Sequence, residues 1–178
     1  SQSKVVNVYD IETDTWGAVP TNMPLKCDSC WGTAINGYLY VLPEEEGITM
    51  NRNIIKYDIA NDSWTYCTQI PYGAGNRCCA VKDNYIYIAS GHDNVQQNFY
   101  KYFYRYDTTN DTWERLSDLP CSFNKGNACF IGDKMFIGSG RKPFFLVYNT
   151  TSKEFEMPPI SPKSARSTIT FKYNNFVY

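Results

Sequence analysis

The chain has 178 residues, enough for one ordinary domain with a sizeable core, and a formal net charge of −1. That balance gives no electrostatic case for nucleic acid or an anionic membrane as a partner, and no apolar run approaches the ~20 residues that span a bilayer. Aromatic residues make up 16% of the chain, with 15 tyrosines, a composition that favours strands.

Residues 5–11 read as a strand ending in Tyr9-Asp10. A polar turn follows, then a strand opening near Trp16. The phrase recurs as Tyr57-Asp58…Trp64 and Tyr106-Asp107…Trp113, and in weaker form as Tyr148-Asn149…Phe155. The leading tyrosines are 48, 49 and 42 residues apart. Self-similarity at roughly 40–50 residues marks a propeller or array. Each copy reads as a hairpin, because Asx and Ser/Thr side chains bond the nearby backbone in turns.

A second hairpin precedes each of the last three copies. Asn36-Gly37 separates Thr33-Ala34-Ile35 from Tyr38–Leu42, and Asn-Gly is the strongest short-range hairpin signal. Cys79-Ala80-Val81 with Tyr85–Ala89, and Ala128–Ile131 with Met135-Phe136-Ile137, repeat the pattern. Ser167–Phe171 with Phe176-Val177-Tyr178 begins a fourth. Four strands per repeat, a to d, follow, and Ala34, Ala80 and Ala128 place small residues in strand a. The expected division is 1–24 (strands c and d of one blade), blades at 25–71, 72–120 and 121–160, and strands a and b of a further or closing blade at 161–178.

On the Tyr-Asp-x6-Trp element, present three times in register, the chain resembles the kelch-repeat family of β-propellers, and most closely the BTB-kelch (kelch-like) proteins. The resemblance implies an all-β propeller of four-stranded antiparallel blades, about four of them here and commonly six in the ring. Family repeats usually carry two glycines after strand b. This chain has Ser90-Gly91, Ser139-Gly140 and Pro43-Glu44 instead. The expected reading is a piece of a larger propeller, with a closed four-bladed ring as the alternative. Ser1 is not a natural initiator, so the absence of a leader carries no weight.

Catalytic chemistry is poorly supplied. His92 is the sole histidine, which supports a nucleophile–base pair badly, and the copper oxidases built on a kelch-type propeller need two. Cys27-Asp28-Ser29-Cys30 has the spacing of half a zinc site, but structural zinc normally takes four ligands and no second such pair follows. The preferred reading is no enzyme, no cofactor and no metal. Seven cysteines without secreted-scaffold spacing read as reduced thiols of an intracellular, cytoplasmic protein. Asn61, Asn110 and Asn149 head Asn-x-Ser/Thr sequons, yet all three fall in the repeated turn, whose own chemistry accounts for them. Glu44-Glu45-Glu46 reads as a solvated loop.

Binding is the better-supported function. The links between strands b and c, near 43–52, 91–99 and 140–143, vary in length while the rest stays in register, and loops varied on a constant scaffold present recognition surfaces. In the kelch family these links and the d-to-a links form a partner-binding face. Placed by that register, Arg52, His92, Asp93 and Arg141 fall in b–c links, and Tyr72, Arg77, Phe123, Lys125 and Arg166 in or beside d–a links. Arg and aromatic side chains dominate interface energetics, and the basic members would suit an acidic peptide. Trp31 reads as core. Tyr9, Trp16, Tyr57, Trp64, Tyr106, Trp113, Tyr148 and Phe155 read as blade-to-blade packing, so Trp64→Ala and Trp113→Ala are expected to cost roughly 3–5 kcal/mol each. The family setting implied is the substrate-recruiting subunit of a cullin-type E3 ubiquitin ligase, its cullin held by a BTB domain. An actin-binding scaffold is the alternative.

Overall fold

The computed structural model describes residues 4–27, 29–43, 45–46, 49–93, 96–123, 126–138, 145–159, 172–173 and 176–177; of 45–46, 49–50, 172–173 and 176–177 only the backbone is considered. By contact the chain divides into two compact units, 1–72 and 73–178.

In the first unit β1 (Asn7–Asp10) and β2 (Thr15–Ala18) form a two-stranded antiparallel sheet. β3 (Cys30–Ile35), β4 (Tyr38–Pro43), β7 (Ile55–Asp58) and β8 (Ser63–Tyr66) form a four-stranded one in that order. Between β4 and β7 lies a short hairpin, β5 (Glu45–Glu46) with β6 (Thr49–Met50). The β3–β4 turn obeys its sequence: Asn36 and Gly37 both have positive φ, 50° and 81°, as a type I′ turn requires. Met23, Leu25 and Ile55 form the buried cluster of this unit, with Val6, Val41 and Trp64 packed against it.

The second unit repeats the scheme. β9 (Cys78–Lys82), β10 (Tyr85–Ala89), β13 (Phe103–Asp107) and β14 (Thr112–Arg115) make one antiparallel sheet. A hairpin of β11 (His92–Asp93) and β12 (Asn98–Phe99) sits in its b–c link. β15 (Asn127–Ile131), β16 (Lys134–Gly138), β17 (Phe145–Asn149) and β18 (Glu154–Glu156) make the next sheet, and β19 (Lys172–Tyr173) pairs with β20 (Phe176–Val177). The main strands follow the a–d order read from the sequence. The links were expected as plain loops, and two of them carry a hairpin of their own.

The two four-stranded sheets of this unit share one core. Phe103 of the first sheet meets Tyr148 of the second edge-on, ring centroids 4.8 Å apart at 88°, and Phe155 at 5.8 Å. Ala80 and Ala128 are buried in the same cluster, where small side chains let β9 and β15 approach. Gly126 shows how close that approach is: a Cβ there would overlap Cys78 Sγ and stand 2.5 Å from the Gly138 carbonyl oxygen. Ala34, the third member of the small-residue series, is exposed, so smallness there is not explained by burial.

Candidate functional site

The repeated hairpin is built the same way four times. Tyr9, Tyr57, Tyr106 and Tyr148 stand directly opposite Trp16, Trp64, Trp113 and Phe155, with ring centroids 5.0–5.1 Å apart. Such cross-strand aromatic pairs stabilise a sheet face. The next residue caps the turn. Asp58 Oδ1 accepts the N–H groups of Ala60 (3.0 Å) and Asn61 (3.1 Å), Asp107 those of Thr109 and Asn110, and Asn149 those of Thr151 and Ser152. The amides of Asn61 and Asn110 donate back to the same aspartates, so with Asn149 all three sequon side chains serve the turn.

The turn ends on a left-handed residue, Asp14, Asp62, Asp111 or Lys153, with φ between 48° and 61°. Aspartate tolerates that conformation better than most residues, and in the first three copies it also accepts the tyrosine hydroxyl. In the second copy the Tyr57–Asp62 bond, followed by burial, pushes the tyrosine up to about 12. The same bond holds the Asp62 carboxyl below its usual range. Asp62 further accepts the Thr21 N–H and hydroxyl, and the Trp64 indole donates to the Thr21 carbonyl at 2.9 Å. The preceding link is thereby fastened to the hairpin.

A second recurring device lies five residues before each of the first three tyrosines. Lys4, Arg52 and Lys101 donate to the carbonyls of Pro24, Ile70 and Pro120 at 2.9, 2.7 and 3.1 Å. The carbonyls of the same three residues accept the N–H groups of Met23, Ile70 and Leu119. Each basic side chain therefore ties a b–c link to the d–a link beside it.

In the first sheet of the second unit these links make a built surface. Ser90 is fully buried with φ 58°. Its hydroxyl accepts the Phe123 N–H at 2.6 Å. The carbonyls of Tyr100 (2.9 Å) and Phe123 (3.0 Å) are both within reach of its single proton. Gly91, at φ 121°, has no room for a side chain, since a Cβ would stand 2.8 Å from Ala74 Cβ and 3.1 Å from Arg77 Cγ. His92 and Gly75 exchange two backbone bonds of 2.9 Å. The His92 ring, 8% exposed, stacks beneath Phe99 at 4.3 Å and 23°, and its Nε2 has no hydrogen-bond partner among the described residues. Asp93 accepts the Gln96 N–H at 3.0 Å and the Tyr100 hydroxyl at 3.2 Å. Burial first, and the Asp93 carboxylate second, push the Tyr100 hydroxyl up, keeping it a donor.

The residues assigned to the partner face therefore sit differently from their sequence placement. Tyr72, Arg77, His92, Asp93 and Phe123 are buried. The links fold back on each other, so these side chains lie within or beneath the loop surface. Arg52 is exposed but spends its Nε on Ile70. Lys125, Arg141 and Arg166 lie outside the described residues. What the second-sheet links do present is Phe99, 50% exposed, beside exposed Gln96, Gln97 and Asn98. Phe99 was missed because it opens an aromatic-rich run with Tyr100, Tyr102, Phe103 and Tyr104, and nothing in that run marks one ring as exposed. The basic residue before the first three tyrosines was legible, since Lys4, Arg52 and Lys101 keep the repeat spacing.

Of the other sequence candidates, the Cys27 thiol donates to the Ser29 carbonyl at 3.1 Å and Cys30 is exposed. None of the seven cysteines is in a disulfide. Among the described residues no group of three or more His, Cys, Asp or Glu is placed to hold a metal ion, and no helix is long and apolar enough to cross a membrane. Trp31 is half-buried. Asp28 and Glu44 fall outside the described residues.

Residues 74–120, which hold this sheet and its links, match the Kelch motif family model. The chain carries the kelch motif. It is 25% identical over 152 residues to Kelch-like protein terF of Aspergillus terreus, covering 79% of this chain and 33% of that protein. It is likewise 25% identical over 158 residues to human Kelch repeat and BTB domain-containing protein 12, covering 76% and 25%. Over 76 residues it is 34% identical to human Kelch-like protein 31, covering 40% and 12%. The chain thus spans a third or less of the length of these relatives. The solved structure of YjhT superposes with a TM-score of 0.81 at 13% identity, over 97% of this chain and 67% of that one. A likeness of that kind shows the fold, an all-β propeller of kelch repeats. Kelch repeats of this type imply a protein–protein interaction domain.

Proposed function

We propose that the kelch chain is the substrate-recognition part of a cullin-type E3 ubiquitin ligase adaptor, and that its contact surface in the second unit is the β11–β12 hairpin. The observation that carries the recognition reading is the preformed hairpin itself. An aromatic residue, Phe99, is held outward on a buried histidine ring, and the link beneath it is pinned by Ser90, Gly75 and Asp93. A rigid, half-exposed aromatic on an ordered loop loses little entropy on binding, and residues of this type are frequent interface anchors. The ligase setting is supported by relatives whose names join kelch repeats to a BTB domain.

The test is proximity labelling in cells with the full-length protein, wild type against Phe99→Ala. The expected result is loss of the captured substrates, retention of the cullin, and an unchanged melting temperature. Capture indifferent to Phe99 refutes the hairpin as the contact surface. Failure to coprecipitate any cullin refutes the ligase setting, and cosedimentation with filamentous actin would replace it by a cytoskeletal one.

A further inference from the structure

The β11–β12 hairpin has two faces. Phe99 stands opposite His92, and Asp93 opposite Asn98. Side chains alternate along a strand, so Phe99 and the His92 ring share one face, while Asp93, Asn98 and the next residue, Tyr100, share the other. How far Phe99 turns outward therefore depends on what holds the face behind it.

That rear face is held by a chain of contacts that ends on the outer strand of the same sheet. The Tyr100 hydroxyl donates to Asp93 at 3.2 Å, and Asp93 accepts the Gln96 N–H of the hairpin at 3.0 Å. The Tyr100 ring lies flat on Tyr102, centroids 4.9 Å apart at 12°. Arg115, the last residue of β14 and opposite Tyr104 in β13, lays its guanidinium over the Tyr102 ring at 4.9 Å and the Tyr104 ring at 5.8 Å. Its Nη2 donates to the Asp118 carboxylate at 2.8 Å. An exposed ion pair contributes little by itself, but this one fixes the guanidinium plane over the rings. A cation so placed is attracted to the negative face of an aromatic ring, and the flat guanidinium also stacks on it.

The repeat does not ask for arginine at this place. In the first unit the matching residue is Tyr66, opposite Ile55 and exposed, with no basic group over a ring there among the described residues. The stack belongs to the sheet whose link turns Phe99 outward.

We propose that Arg115 and Tyr102 are positioning residues for the Phe99 contact surface, acting from the outer strand through Tyr100 and Asp93. Their role presupposes that Phe99 is the contact ring. Arg115 clamps Tyr102, Tyr102 fixes the plane of Tyr100, and the Tyr100 hydroxyl holds Asp93 where it can accept the Gln96 N–H. Loosening the clamp lets the hairpin rock and lowers the fraction of chains in which Phe99 is presented.

The test needs no partner. Amide exchange of the whole chain is read residue by residue by NMR, with Gln96 as the reporter of the hairpin. Arg115→Met keeps an unbranched side chain but removes the cation, and is expected to speed exchange at Gln96 about threefold. Tyr102→Leu is expected to speed it about tenfold. Arg115→Lys keeps a cation and should recover most of the protection. The Leu116 amide, bonded to the Phe103 carbonyl at 2.9 Å, reports on the outer strand and should not change. Tyr100→Phe keeps the ring and breaks the link, so adding Arg115→Met to it should change Gln96 by less than about 1.5-fold. The proposal is overturned if Gln96 is unmoved by Arg115→Met and Tyr102→Leu, or if Leu116 speeds up as much as Gln96. It is also overturned if Arg115→Met acts equally with and without the Tyr100 hydroxyl. None of these outcomes bears on whether Phe99 captures substrate, and loss of that capture in Phe99→Ala does not depend on Arg115.

Discussion

Replacing Phe103 by alanine tests whether the two complete sheets of the second unit are held together by their shared aromatic core. The ring is fully buried and touches Tyr87, Tyr148 and Phe155. A buried aromatic side chain removes ~150–250 Å² from water, worth ~25 cal/mol per Å², and its edge-to-face pair with Tyr148 adds about 1 kcal/mol. Close packing at Gly126 and Cys78 leaves little room for collapse into the cavity, so the loss belongs near ~4 kcal/mol. Trp64 is only half-buried. Its loss, with the indole bond to Thr21, comes to about 2–3 kcal/mol, below the value its repetition in the sequence suggests. Trp16 is mostly exposed, and its loss stays within about 0.5 kcal/mol. Urea denaturation of the whole chain, followed by circular dichroism, gives the three values. A Phe103→Ala loss under about 1 kcal/mol, or one smaller than that of Trp64→Ala, would refute the packing account.

Two further outcomes follow from the turns and links. Ser90→Ala leaves the Phe123 N–H buried without its acceptor and is expected to cost about 2 kcal/mol and to speed amide exchange at Phe123 selectively; unchanged exchange there would sink the latch. The carboxyls of Asp10, Asp58, Asp62 and Asp107 are all held below their ordinary value, the first by the N–H groups of its turn, Asp58 and Asp107 first by the Asn61 and Asn110 amides, and Asp62 by Tyr57. Folded values below unfolded ones mean that their contribution is present above about pH 4 and is lost as pH falls through the folded values. Asparagine makes the same backbone bonds at position 149, so Asp58→Asn with Asp107→Asn should flatten the acid limb of the stability curve. An acid limb identical to wild type would mean that other carboxyls control it.

Much of the fold was legible because its determinants are local. Asn36-Gly37 dictates a tight turn through the backbone angles those residues accept. The Asp or Asn after each tyrosine caps its own loop within three residues. A period kept over three copies then predicts the same sheet each time. The aromatic phrase that announces the repeat was read as wholly buried packing, and here local pattern misleads. Tyrosine and tryptophan alternate with the pleat whether or not a neighbour covers them, so Trp16 and Trp64 look alike in sequence and differ in exposure.

The loop surface was the least legible part. Sequence places Arg77, His92, Asp93 and Phe123 in links, and links are ordinarily outside. Only tertiary contact shows that Ser90 draws the Phe123 backbone inward, that Gly75 pairs with His92, and that the hairpin turns Phe99 out instead. Sequence by itself determined strand order, turn chemistry and repeat length, because each rests on bonds between residues near in the chain. Which side chains face solvent was decided by contacts between links some 15 to 35 residues apart, and the energy of those contacts is absent from any single segment.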